Sequence, residues 1–148
     1  MKMTLVVLSA IVAVGLPAFA KSLQLKDLPV PVQKTVQDTL KGGEIKNINR
    51  EVEKGVTQYE IESMLNGRHR DFNVDSKGKL IVVEEEVTLD SIPAAAKAAI
   101  EKKAAGGKLG MVERVTKDGV VLYEAAFTGR SGKKSSVLVK ADGTETKD

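Results

Sequence analysis

The sequence contains no cysteine and no tryptophan, and His69 is the only histidine among its 148 residues. Without cysteine the chain has no disulfide, no thiolate nucleophile and no cysteine-ligated metal site. A single histidine excludes His-rich metal sites and leaves any histidine-based catalytic centre resting on one residue. We therefore predict a protein that is not an enzyme, with no catalytic residue, no metal and no cofactor.

Aromatic residues are also scarce, at 3% of the chain, and the formal net charge is only +3. Such a small basic excess gives little electrostatic reason to expect nucleic acid as a partner. Hydrophobic residues make up 42% of the sequence, which is enough for one small globular unit with its own core.

The first twenty residues have the pattern of a secretory signal peptide. Lys2 is followed by the apolar run Thr4–Gly15 and by Ala18-Phe19-Ala20, a small-x-small cleavage site. The alternative is a membrane anchor, but the apolar run is shorter than the roughly 20 residues that a spanning helix needs. We expect cleavage after Ala20, no stable membrane insertion afterwards, and a periplasmic or secreted protein.

An internal repeat divides the rest of the chain. A shift of 64 positions superimposes glycine, proline and tyrosine positions that punctuate secondary structure. These matches are Pro29 with Pro93, Gly42-Gly43 with Gly106-Gly107, Gly55-Val56 with Gly119-Val120, and Tyr59-Glu60 with Tyr123-Glu124. We predict a short lead at residues 21–27, a first repeat at 28–87 and a second at 88–148, which together form one compact unit.

Each repeat reads as one helix followed by an antiparallel meander. Pro29 and Pro93 are typical of a first helical turn, with Asp27 and Ser91 as candidate caps, and apolar residues then recur every four positions up to the Gly-Gly pair. Alternating segments separated by Gly-containing turns predict the strands. Their predicted bounds are 45–53, 56–65, 68–74 and 80–87 in the first repeat, and 111–117, 120–128 and 134–140 in the second, whose fourth strand is missing or a stub.

This pattern resembles the PepSY-like family, which shares the fold of β-lactamase inhibitory protein (BLIP). The resemblance rests on Leu28-Pro29 and Ile92-Pro93 at the helix starts, on the two Tyr-Glu pairs, and on the turn from Asp75 to Lys79. It implies an α+β fold with both helices on one face of a shared antiparallel sheet, and with the other face free. It also implies protein binding, including inhibition of secreted hydrolases, although the scarcity of aromatics argues against an inhibitor surface of the usual kind.

Two cationic hairpin tips are the candidate partner-binding site. They lie between the second and third strands of each repeat and would favour an anionic partner, while the alternative is that they only solubilise the tips. The candidate residues are Arg68, Arg70, Arg130, Lys133 and Lys134. We expect a protein partner in the periplasm or outside the cell; the alternative function is a small-ligand or ion-sensing envelope protein that uses the free sheet face.

The acidic residues favour structural roles. Glu84-Glu85-Glu86 would alternate between faces and is typical of a solvated edge strand, and Glu60 and Glu124 are placed to pair across strands with Arg50 and Arg114. The segment Asp71-x-Asn73-x-Asp75 begins like a calcium loop, but Ser76 and Val82 stand where an EF-hand needs Gly and Glu.

The signal peptide predicts that the exported protein begins at Lys21. N-terminal sequencing of the protein recovered from the periplasm or the medium measures this directly. A mature form that still contains the apolar run Leu5–Val14 would contradict both the cleavage site and the export.

Overall fold

Two helices lie against one face of a single antiparallel sheet in the computed structural model, which describes residues 23–147. Their bounds are Val30–Leu40 (α1) and Ala94–Lys103 (α2). The strands are Glu44–Glu53 (β1), Val56–Leu65 (β2), Arg68–Asp75 (β3), Leu80–Val87 (β4), Lys108–Lys117 (β5), Val120–Thr128 (β6), Lys134–Val139 (β7) and Glu145–Thr146 (β8). The predicted α+β class is therefore confirmed, as is the position of both helices on one face.

Each helix begins directly after a proline. Pro29 and Pro93 occupy the position just before the first helical residue of α1 and α2, so they lie one position earlier than predicted. The predicted caps are wrong, because Asp27 and Ser91 instead close short 3-10 helices at Leu25–Asp27 and Leu89–Ser91. The side chain of Asp27 accepts a hydrogen bond from the backbone N–H of Gln24, and the Ser91 hydroxyl donates to the carbonyl of Thr88.

The strands follow the chain in the order β1 to β8, each pairing with the next. The fourth strand that the sequence predicts to be missing or a stub at the end of the chain is β8, which has two residues. The edge-strand interpretation of Glu84-Glu85-Glu86 is wrong: these residues lie in β4, which pairs with β3 on one side and β5 on the other. Their charges therefore lie in the middle of the sheet.

The core forms where alternate strand residues meet the helices. Val32 and Val36 of α1 pack against Ile61 and Phe72, and all four side chains are fully buried. A second cluster around Ile100 of α2 contains residues of β5, β6 and β7. Because successive strand residues point to opposite faces, this burial places the intervening residues on the face that the helices do not cover.

Two glycines let the helices approach the turns of the sheet. Gly78, with φ +89°, has no room for a Cβ, which would lie 2.7 Å from the carbonyl oxygen of Pro31 in α1. A Cβ at Gly143, with φ +82°, would lie 2.6 Å from the carbonyl oxygen of Ala95 in α2. Both positions need glycine, because their backbone is left-handed and because the helix backbone leaves no space for a side chain.

One carboxylate joins the two halves of the sheet on its helix-covered face. Glu85 of β4 forms ion pairs with Arg70 of β3 and Arg114 of β5. Burial opposes ionisation here, but the hydrogen bond from Arg114 and the charge of Arg70 lower the pKa of Glu85 below its usual value. Arg70 itself is only 6% exposed, and its Nε donates to the carbonyl of Thr39 in α1 over 3.3 Å.

The predicted ion pairs of Glu60 and Glu124 with Arg50 and Arg114 are wrong. In the register of β1 and β2, Arg50 is opposite Tyr59, so Glu60 points to the other face. Arg114 is opposite Tyr123 in the same way. The shift of 64 relates Arg50 to Arg114 and Glu60 to Glu124. It does not show that each arginine lies on the face opposite to its predicted glutamate partner.

The core assignment predicts an unequal effect of truncation along α2. Ile100 is fully buried, so Ile100→Ala should lower the free energy of unfolding by about 2–5 kcal/mol, through lost burial and the cavity left behind. Lys102→Ala, at an exposed position of the same helix, should change it by less than about 0.5 kcal/mol. Urea unfolding of the two variants measures both values, and equal losses would contradict the assignment of the buried helix face.

Candidate functional site

The face of the sheet opposite the helices, here called the open face, carries most of the acidic residues of the central strands. It consists of the strand residues that alternate with those of the core. Its carboxylates include Glu51, Glu53, Glu60, Glu62, Asp71, Glu84, Glu86, Glu113 and Glu124.

Several of these carboxylates lie directly opposite each other on neighbouring strands. Asp71 of β3 pairs in register with Glu84 of β4, and Glu86 of β4 pairs with Glu113 of β5, which also lies opposite Glu124 of β6. Directly opposed side chains have Cβ atoms only about 4.5–5.5 Å apart, and like charges at this spacing destabilise a sheet. These opposed carboxylates, Asp71, Glu84, Glu86, Glu113 and Glu124, are here called the acidic rows, and they concentrate acidic groups on the open face at an energetic cost to folding.

This crowding changes the protonation of the central carboxyl groups. Burial, followed by the charges of Glu113 and Glu124, raises the pKa of Glu84 to about 8. Burial and the charge of Glu124 raise the pKa of Glu113 to about 7, and burial raises that of Asp71 above its usual value. At neutral pH the face therefore retains protons that isolated carboxyl groups would lose.

Amide and backbone donors hold the carboxylates at the β1–β3 side of the open face. The side-chain amide of Asn49 donates to Glu60 and to Glu62, each over 3.1 Å. The carboxylate of Asp71 accepts the backbone N–H of Ser63 at 2.9 Å. These contacts fix the directions in which the carboxylates point, so this part of the face is preorganised.

An apolar patch adjoins the acidic rows on the same face, toward β6 and β7. Val115, Leu122 and Leu138 form a separate cluster of buried side chains, with Val82 packed against it. At the end of this patch lies an open groove of about 140 Å³. We call it the lysine-rimmed groove; it is lined by Val115, Lys117, Val120, Leu122, Lys140, Thr146 and Lys147.

The predicted cationic tips lie at one end of the sheet, but they do not converge. Arg68 is exposed at the start of β3 and lines a cleft of about 370 Å³, whereas Arg130, Lys133 and Lys134 lie at the β6–β7 turn, three to four strands away. At the usual strand spacing this is a separation of roughly 14–19 Å. The fifth candidate, Arg70, is buried, and its charge is already used by Glu85.

The acidic rows have no local signal in the sequence. Alternation alone could place Glu84 and Glu86 on one face, but their convergence with Asp71, Glu113 and Glu124 depends on which strands are neighbours and in what register. Within residues 23–147, no group of three or more acidic or histidine side chains has an arrangement that could hold a metal ion, and no helix is long and apolar enough to cross a membrane. The predicted signal peptide lies outside the described residues.

Comparisons with known proteins show the fold. No family model and no curated protein sequence matches the chain. Among solved structures, a DUF2874 family protein from Bacteroides uniformis aligns with a TM-score of 0.66 at 15% identity, covering 80% of this chain and 86% of that one. A BLIP-like protein from Bacteroides fragilis aligns with a TM-score of 0.60 at 14% identity, covering 80% and 83%.

The fold is BLIP-like. A third structure, from Bacteroides eggerthii, aligns with a TM-score of 0.67 at 17% identity and covers 81% of this chain and 86% of its own; its description assigns it provisionally to the periplasm. At these identities the likeness shows the fold alone. The BLIP-like arrangement agrees with the fold that the sequence resemblance implied, while membership of the PepSY-like family remains a prediction.

The acidic rows predict that folding stability falls as the pH rises. The unfolded chain loses the protons of Glu84 and Glu113 near the ordinary value of 4.5, whereas the folded chain keeps them until about pH 8 and about pH 7. The folded state therefore binds more protons within this window, and the free energy of unfolding should decrease by about 1–3 kcal/mol across it. The pKa of Glu85 is lowered from 4.5 in the folded chain, so this group changes the stability only below this pH range.

Urea unfolding at about pH 5 and at about pH 9 measures this decrease. Glu113→Gln should stabilise the protein at the higher pH by about 1 kcal/mol or more and should flatten the pH dependence, because it removes the charge that lies opposite both Glu86 and Glu124. Glu101→Gln, at an exposed position on α2, is the matched control and should leave the curve unchanged. Stability that rises with pH in this window would contradict the protonation of the acidic rows.

Proposed function

We propose that the chain is an exported, non-enzymatic protein-binding module that engages its partner through the open face of the sheet. The observation that carries this proposal is the set of opposed carboxylates on that face: Asp71 with Glu84, and Glu113 with both Glu86 and Glu124. Perturbed carboxyl groups of this kind are concentrated at functional surfaces, where folding stability is exchanged for recognition.

The shape of the face supports a protein partner over a small molecule. The face extends over the strands β1 to β7 and is lined by fixed hydrogen-bonded carboxylates at one side and by an apolar patch at the other. A partner of macromolecular size could contact both regions at once. The narrow cleft beside Glu84, at about 30 Å³, is too small to enclose a metabolite.

Export is proposed from the signal-peptide pattern at residues 1–20. The provisional periplasmic assignment of the structural neighbour from Bacteroides eggerthii supports the same compartment. The tandem repeat is proposed from the shift of 64 in the sequence, and it is supported by the equivalent contacts of Gly78 with Pro31 and of Gly143 with Ala95. Assignment to the PepSY-like family is part of the same proposal.

The hairpin tips are a second candidate location for the partner. Arg68, Arg130, Lys133 and Lys134 are exposed and carry the positive charge that an anionic surface would recognise. Arg130 also donates to the carbonyl of Gly106 over 3.2 Å, so part of its role is structural. The roughly 14–19 Å between the two tips favours the open face, which is continuous.

Site-specific photo-crosslinking in living cells tests the function and its location. A photoreactive residue is introduced at Ser136 or Glu62 on the open face, at Arg130 on a tip, and at Lys102 on α2 as the control. We expect a protein adduct of one defined mass from Ser136 and from Glu62, and none from Lys102, because the helix side is turned away from the partner.

The other outcomes contradict parts of the proposal. An adduct from Arg130 alone would move the interface to the tips, and adducts from Lys102 alone would move it to the helix side. The absence of a protein adduct at every position would contradict protein binding and favour the small-ligand or ion-sensing alternative. A hydrolytic activity that is lost in Glu60→Gln or Glu124→Gln would overturn the non-enzymatic function.

A further inference from the structure

The lysine-rimmed groove has the shape of a receptor for one apolar side chain. Val115 and Leu122 are 1% and 6% exposed, so they form a firm floor, while the wall residue Val120 is 52% exposed. The volume of about 140 Å³ is close to that of an apolar cavity that accommodates benzene, about 150 Å³. A single leucine- or phenylalanine-sized group would therefore remove Val120 from water without any change in the fold.

Three positive charges surround this apolar floor. Lys117, Lys140 and Lys147 line the groove. Within residues 23–147, the ion pairs of this region join Lys79 to Asp118 and Lys103 to Glu145, and they leave the three groove lysines out. Lys140 acts on Asp142 only as a lesser influence on the pKa of that exposed carboxyl. Lys140 and Lys147 thus offer positive charge that no ion pair within residues 23–147 neutralises, while Lys117 also lines the narrow cleft that contains Glu84.

We infer that the groove binds a segment of the partner protein in which an apolar side chain is flanked by carboxylates. The apolar side chain enters the groove, and the flanking carboxylates face Lys117, Lys140 and Lys147. This inference rests on the proposed function, since it assigns a chemistry to one part of the open face. Charge complementarity decides the occupant, because a neutral or basic apolar segment would leave the lysines unmatched.

The acidic rows beside the groove determine the orientation in which the segment binds. Glu86 of β4 lies in the same face and repels the carboxylates of a bound segment, and Glu84 and Glu113 add to this repulsion once they lose their protons. The acidic part of the segment is therefore held at the β5–β8 end of the face, and only a neutral or basic continuation can cross the rows. One face thereby selects both the segment and its orientation.

Fluorescence anisotropy with a labelled octapeptide tests the inference on the full mature chain. The probe contains two leucines flanked by aspartates, and a second probe replaces both leucines with serines. We expect the leucine probe to bind the wild-type protein, and the serine probe to bind at least about tenfold more weakly, because it cannot fill the apolar floor. Salt should weaken binding of the leucine probe, because the lysine contacts are screened.

A pair of charge-matched variants separates the groove from the general charge of the protein. Lys117→Gln combined with Lys140→Gln should weaken binding of the leucine probe at least about tenfold. Lys34→Gln combined with Lys102→Gln removes the same charge from exposed positions on α1 and α2 and should leave the affinity unchanged. Thermal unfolding of both double variants should match the wild type, since all four lysines are at the surface or partly exposed.

Each remaining outcome overturns the inference. It fails if the leucine probe does not bind at about 1 mM, if the serine probe binds equally well, or if both double variants lose affinity equally. It also fails if the protein binds vesicles of phosphatidylglycerol through these lysines but not the probe. If the open-face adducts at Ser136 and Glu62 persist in the Lys117→Gln, Lys140→Gln variant with undiminished yield, the proposed function stands and only the groove assignment fails.

Discussion

The covering of the sheet on one side only is the constraint on which the rest of this structure depends. Each strand sends alternate residues toward α1 and α2, where Ile61, Phe72 and Ile100 are fully excluded from water. The hydrophobic burial that fixes these residues also fixes their neighbours on the opposite face, because a slip of one residue would exchange the two sets. The open face is therefore as strictly specified as the core.

The three consecutive residues Glu84-Glu85-Glu86 show how strongly this constraint acts on charge. Glu85 points to the helix side, where Arg70 and Arg114 hold its pKa low. Glu84 points to the open face, where burial and like charges raise its pKa to about 8. Glutamate thus stabilises the centre of the sheet on the helix side and destabilises it on the open face. The loss of folding stability from opposed carboxyl groups is confined to the open face.

Two features of the open face have no part in holding the fold together. The Arg70–Glu85–Arg114 contacts and the glycines at the helix–turn contacts account for the joining of the two halves and the seating of the helices. The opposed carboxylates and the lysine-rimmed groove serve neither purpose, yet they lie together on one continuous surface. A rigid sheet that displays an acidic region beside an apolar, basic one is suited to orienting a partner of mixed character.

The sequence by itself determined the elements, because their signals are local. Gly55, Gly78 and Gly119 mark tight turns just before β2, β4 and β6, and these three strands have the predicted bounds. Tertiary structure decided everything that depends on neighbours across the sheet. The register of β1 and β2 places Arg50 and Glu60 on opposite faces. The strand order places β4 inside the sheet, and packing against α1 buries Arg70. The acidic rows arise in the same way, because residues distant in the chain become direct neighbours only when strands pair, and no local pattern encodes that pairing.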